Sequence, residues 1–173
     1  MTSEPGHLAE QGKQAFEAKD FDRAASLFTE AASAYQALDD TLNAAEMKNN
    51  LSVALLQAGK AKDAYEAAAG TDEIFAQAGE VERQAMAFGN QGAALEALKK
   101  LEPALEAYER SAALFAEAGE TEMRSIVLQS AAAIKLRRGK MMDSALSMIG
   151  SVESTKKPTI LQRLLRFLIR IRR

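Results

Sequence analysis

Apolar residues recur along the chain at spacings of three and four, as in Leu51, Ala54, Leu55 and Ala58, the mark of helices with one buried face. The pattern predicts a helix from about residue 40 to 58 and a second from about 60 to 78, and the same two-helix unit before and after them. Gly59 and Gly139 stand where the first helix of a unit must end, and Gly79 and Gly119 where the second ends. Glycine tolerates the left-handed cap that such ends use. Glu80 and Glu120 then open the next helix at its positive end. Pro103 falls in the first turn of a helix, where its missing N–H costs least.

The units repeat. An offset of 40 aligns the chain with itself without a gap. One column reads Gly12, Ser52, Gly92, Ala132; twelve residues on stand Ala24, Ala64, Ala104, Ser144; four further come Phe28, Ala68, Tyr108, Met148. Tyr35, Phe75 and Phe115 share a column, as do Leu38, Ala78 and Ala118. Residue size is held in too many columns for chance. The small column predicts close helix crossings at Gly12, Gly92 and Ala132, and the aromatics at 28, 35, 75, 108 and 115 are expected to fill the space between successive pairs.

Gly12-Ala24-Phe28-Ala31 and Gly92-Ala104-Tyr108-Ser111 resemble the tetratricopeptide repeat, with its small residue, alanine twelve on, aromatic four on and small residue three on. The usual period there is 34. A period of 40 is similar to the extended repeats of kinesin light chains, soluble NSF-attachment proteins and bacterial Rap-type regulators. The resemblance implies an all-α, right-handed superhelical solenoid of four helix pairs, at about 6–38, 40–78, 80–118 and 120–153. Residues 1–5 would be a flexible N-terminus, 154–157 a linker and 158–173 a C-terminal amphipathic helix. The second pair departs from the pattern at Ala68, and the fourth at Lys135 and Met148. A solenoid of this kind presents a concave face. Family geometry puts Lys13, Phe16, Glu46, Asn49, Val53, Met86, Ala93, Gln129, Ala133 and Arg137 on or near it. The mixture is too apolar for the Lys/Arg/Asn clamp that grips a peptide's terminal carboxylate. It suits an amphipathic helix of another protein. The rival role for these residues is simple helix packing.

Composition narrows the chemistry. Of 173 residues 35 are Ala, so the core is built of thin, closely packed helices. The chain has no Cys, hence no disulfide, thiol nucleophile or thiolate metal site. His7 is a lone histidine at the expected N-terminal fray, without a second ligand beside it. The carboxylates are spread over helix faces, and the glycines mark helix ends and crossings, with no phosphate loop among them. No catalytic residue, cofactor or metal is expected.

Charge is divided unevenly. Residues 155–173 hold seven basic groups and no acid, while residues 1–154 hold 15 basic and 24 acidic groups, a net −9. Pro158 can begin a helix. On it Gln162, Arg163, Arg166, Arg170 and Arg173 occupy about a third of the circumference at 100° per residue. Ile160, Leu161, Leu164, Leu165, Phe167, Leu168 and Ile171 fill the remainder, with Ile169 and Arg172 off pattern. An Arg stripe over a broad apolar face is the profile of a helix lying in an anionic membrane interface. Two other roles compete: a cap on the open end of the array, or a segment docked in the acidic groove of its own or a neighbouring chain. The expected role is a non-enzymatic adaptor that binds another protein or helical peptide, with anionic lipid as a second partner. The alternative is a peptide-responsive regulator latched by its tail. Nucleic acid is disfavoured by the acidic body and the lack of stacking aromatics beside the Arg run. The polar N-terminus lacks a secretory signal pattern and no apolar run is long enough to span a bilayer, so the expected place is the cytoplasm, at the inner membrane face. Self-association through the C-terminal helix is a further expectation.

Overall fold

A computed structural model describes residues 4–154, with side chains through residue 142. The described residues form eight α-helices and no strand: α1 (Pro5–Glu17), α2 (Phe21–Ala37), α3 (Thr41–Gln57), α4 (Ala61–Ala68), α5 (Thr71–Ala78), α6 (Val81–Ala97), α7 (Leu101–Ala118) and α8 (Thr121–Ser154). The chain divides into two compact units, one ending at Ala132 and the other beginning at Ala133, with α8 running across the boundary.

Helix boundaries in the first unit follow one local device. Left-handed residues fall every twenty positions, at Lys19, Asp39, Gly59, Gly79, Lys99 and Gly119, with φ between 57° and 79°. At each, the next N–H reaches back to a carbonyl five residues earlier: Asp20 to Ala15, Asp40 to Tyr35, Lys60 to Leu55, Glu80 to Phe75, Lys100 to Leu95 and Glu120 to Phe115, all at 2.8–3.0 Å. These bonds satisfy carbonyls that the helix end would otherwise leave open. Asp20 and Asp40 add a side-chain cap by accepting the N–H of Arg23 and of Asn43. His7, expected at a frayed end, lies within α1, which Pro5 starts; it is exposed and hydrogen-bonds Gln11.

Consecutive helices pack on one another, α1 on α2, α2 on α3, α3 on α4 and α6 on α7, while α3 also touches α5 and α6. Within pairs two members of the small column, Gly12 and Gly92, face an aromatic ring, whereas Ala132, where a close crossing was expected, is exposed. A Cβ on Gly12 would lie 2.7 Å from the Phe28 ring, and one on Gly92 would lie 2.9 Å from the Tyr108 ring. Phe28 and Tyr108 therefore fill their own pairs, because each needs the missing side chain opposite, and Phe28 also belongs to a buried cluster that includes Met47 and Ala54 of the next pair. Phe75 does bridge pairs, packing with Ala45 and Ala87 as a fully buried ring.

Two predicted helices differ. The helix expected over 60–78 is broken into α4 and α5, with Ala69 extended and Gly70 left-handed at φ 77°. The expected fourth pair over 120–153 is one helix, α8, and Gly139 has no left-handed φ. Its neighbours Leu136, Arg137, Arg138, Lys140, Met141 and Met142 are strong helix formers. Against them one glycine costs only about 1 kcal/mol, so it does not end the helix by itself. The second unit is described here by the remainder of α8, where Ile134 is buried and Leu136, Met141 and Met142 are exposed. No described helix is long and apolar enough to cross a membrane.

Candidate functional site

A hollow of about 290 Å³ opens between α3, α5 and α6. Its lining combines Asn49, Asn50 and Glu46 of α3, Phe75 of α5, and Arg83 and Met86 of α6, with Glu80 and Glu82 at the α6 N-terminus. Helical periodicity explains the selection. Glu46, Asn49 and Asn50 lie one turn apart on α3, as do Glu82, Arg83 and Met86 on α6. Phe75 forms an apolar base at 0% exposure, and Met86 reaches solvent at 40%.

Three carboxylates and one guanidinium line the hollow, and two of the carboxylates approach the guanidinium. Arg83 lies 3.6 Å from Glu46 and 3.8 Å from Glu80, long contacts between side chains that are each more than a third exposed. Such pairs add little stability. Their consequence is a rim with a net charge of −2 over an apolar base. That combination accepts an apolar side chain flanked by a basic one. It offers no nucleophile–base pair, and among the described residues no three His, Cys, Asp or Glu converge as a metal site.

Of the residues the sequence assigned to a concave face, the hollow brings together Glu46, Asn49 and Met86. Asn49 is not available to a ligand: it is 5% exposed, and its side-chain oxygen accepts the Thr71 hydroxyl at 3.1 Å. Phe16 is also a packing residue, meeting Phe21 edge-on at 5.3 Å beside the first core cluster. Lys13 is exposed on α1, and Val53 and Ala93 are half-buried on α3 and α6. Gln129 lines a different hollow, with Thr121, Arg124, Ser125, Leu128 and Ala132 along the first turns of α8. Ala133 and Arg137 are exposed and belong to the second unit. Leu161, Arg163, Leu164, Arg166, Phe167, Leu168, Arg170 and Ile171 lie outside the described residues.

Sequence reasoning missed Asn50, Phe75, Glu80, Glu82 and Arg83 as site residues. A signal existed in the columns that fail to repeat. Glu46, Met86 and Ile126 share one, and Asn43, Arg83 and Met123 another. Met86, Met123 and Ile126 are 36–56% exposed. Variation at fixed register marks a face not held by packing.

A second hollow, of about 160 Å³, is lined by Tyr65, Phe88, Gln91, Leu95, Pro103, Glu106, Ala107 and Arg110. Arg110 stacks 5.6 Å over the Phe88 ring and pairs with Glu106 at 2.7 Å. The chain matches no protein-family model, and comparison with curated proteins and with solved structures gives no match.

Proposed function

We propose that the chain is a non-enzymatic interaction scaffold, a right-handed superhelical stack of tetratricopeptide-like helix pairs whose inner face takes an amphipathic segment of another protein. The α3–α5–α6 hollow carries this proposal: an exposed Met86 over a buried Phe75, ringed by Glu46, Glu80 and Glu82. An amphipathic helix with basic flanks matches both parts of that surface. The Arg-striped C-terminal helix would hold the scaffold at an anionic bilayer, at about 1 kcal/mol per basic residue near the surface plus apolar burial. The same acidic rim favours a second role, in which the basic tail lies in the groove as a latch that a peptide displaces.

Vesicle sedimentation of the full chain separates the two. An anchored scaffold sediments with anionic vesicles and only weakly with neutral ones, and changing Arg163, Arg166 and Arg170 together to Ser abolishes the preference. A latched protein ignores both until Met86→Glu disrupts the groove, after which it binds. In a native lysate, Met86→Glu should lose the proteins that the unaltered chain retains, with helicity unchanged. Retention by that variant would place the client elsewhere.

A further inference from the structure

The first turns of α8 meet α6 as α6 meets α3. Between α3 and α6, Ala45 and Ala87 close on the buried Phe75 ring. Forty residues on, the same places are held by Ala85, Val127 and Phe115, all three buried. A Cβ on Gly89 of α6 would lie 3.7 Å from the Val127 side chain of α8, so these two helices do touch. One exposed pair changes character from the first contact to the second. Arg83 of α6 lies 3.6 Å from Glu46 of α3. In the second contact Met123 takes the place of Arg83, Met86 that of Glu46, and Ile126 that of Met86. Met86, Met123 and Ile126 are 40%, 36% and 56% exposed.

The acids at the helix starts stay the same. Glu80 caps α6 and Glu82 lies in its first turn, and their counterparts at α8 are Glu120 and Glu122. An apolar strip of Met86, Met123 and Ile126 thus runs beside a line of carboxylates. Glu82 and Met86 are one turn apart on α6, so strip and line are separated by about 6 Å. Helices in contact lie about 8–10 Å apart, and each feature recurs at about that distance from α6 to α8. A client helix lying across them advances about 10 Å in seven residues, and residues seven apart share one face. We infer that this face selects a helix by spacing: one apolar residue against Met86 and another against Ile126, about seven positions apart, each beside a lysine or arginine turned toward the carboxylates. Arg83 ends the strip toward α3, so two such positions are read. Methionine suits the apolar part, because its unbranched thioether adapts to the side chain that arrives. The spacing has meaning only if a client binds at the inner face, the reading on which it rests.

Two synthetic helical peptides of identical composition test it, each labelled and titrated with the full-length protein by fluorescence anisotropy. In one, two Leu–Lys pairs stand about seven residues apart. In the other they stand about five apart, which turns the second pair away from the first. The first peptide should bind roughly tenfold tighter or more, the worth of one apolar contact. Met123→Glu and Ile126→Glu change exposed side chains, and circular dichroism should show unchanged helicity; each should remove that advantage. Glu82→Gln with Glu122→Gln should weaken binding and flatten its salt dependence, since salt screens lysine from carboxylate. Equal affinity for the two peptides, with both lost in Met86→Glu, would overturn the spacing and leave the inner face as the client surface. An advantage that survives Ile126→Glu would overturn it as well, since one hollow would then account for the binding. Binding of neither peptide would remove the spacing and the client surface together.

Discussion

The segment that packs against α6 as α7 has its counterpart 40 residues earlier in α4 and α5, and the two solve one problem differently. In α7, Tyr108 fills the gap opposite Gly92, and Ser111 donates to the facing Ala85 carbonyl. The helix stays whole from Leu101 to Ala118. Earlier in the chain, Ala68 stands for Tyr108 and Thr71 for Ser111. The helix stops, and polar groups plug the break. Thr71 donates to the Ala68 carbonyl at 2.8 Å and contacts the Asn49 side-chain oxygen at 3.1 Å. Gln91 of α6 donates to the same Ala68 carbonyl at 3.2 Å and to Asp72 at 2.7 Å. A repeat can thus replace apolar filling by hydrogen bonding, provided that the groups freed at the helix end find partners. No buried side-chain nitrogen or oxygen among the described residues lacks one.

The largest effect should come from removing the apolar filling. Tyr108→Ala opens a cavity against Gly92 and should cost about 3–5 kcal/mol, the usual range for a buried aromatic. Ala68→Tyr, the reverse change, places a ring at a fully buried alanine and should cost about 1–3 kcal/mol by overpacking. Both are read from denaturant midpoints at constant m-value. A Tyr108→Ala cost below that of Ala68→Tyr would mean that the two segments are filled alike.

The plug should come next. Thr71→Val keeps the shape and removes the hydroxyl that the Ala68 carbonyl and the buried Asn49 oxygen share, at about 1–3 kcal/mol. Ser111→Ala removes one bond to a carbonyl that is already within helix α6, so its cost should be smaller, about 0.5–1.5 kcal/mol. Equal costs for the two would show that Thr71 bears no more of its helix than Ser111 does.

The sequence made much of this visible and hid the remainder for physical reasons. Helix class and most boundaries were legible because the 40-residue columns fix them, and the small-against-aromatic crossings at Gly12 and Gly92 follow from residue size alone. The break at Gly70 was foreshadowed by Ala68 and no further. Its plug joins Thr71 to Asn49, and Gln91 to Asp72 and the Ala68 carbonyl, groups 19 to 23 residues apart, and no local pattern encodes such a meeting. Asn49 was misassigned to a binding face for the same reason, since its amide resembles a ligand-facing group until Thr71 is placed beside it. Gly139 occupies the register of a turn but has no left-handed φ. Glycine permits the left-handed form without requiring it, so tertiary packing decides.

The smallest effect distinguishes how the two segments begin. Lys60 precedes α4, and its ammonium lies 2.7 Å from the Asp22 carboxylate of α2, both well exposed. By register, Lys100 before α7 would face Lys62, a cation, so the third pair lacks this tie. The hydrogen bond from Lys60 to Asp22, reinforced by their opposite charges, holds the Lys60 pKa above its ordinary 10.5. A raised lysine pKa means that the folded chain binds this proton more tightly than the unfolded one. The contribution to stability is therefore complete below about pH 10, and it is lost as pH climbs through the raised value. At neutral pH, Asp22→Asn should leave the melting temperature almost unchanged, because solvent screens so exposed a pair. The sensitive measurement is the Lys60 titration followed by NMR at its side-chain Cε. Its midpoint should lie above 10.5 in the unaltered chain and fall toward that value in Asp22→Asn. A midpoint that ignores the substitution would mean that the tie does not persist in solution, and that α4 begins, as α7 does, without an anchor to the preceding pair.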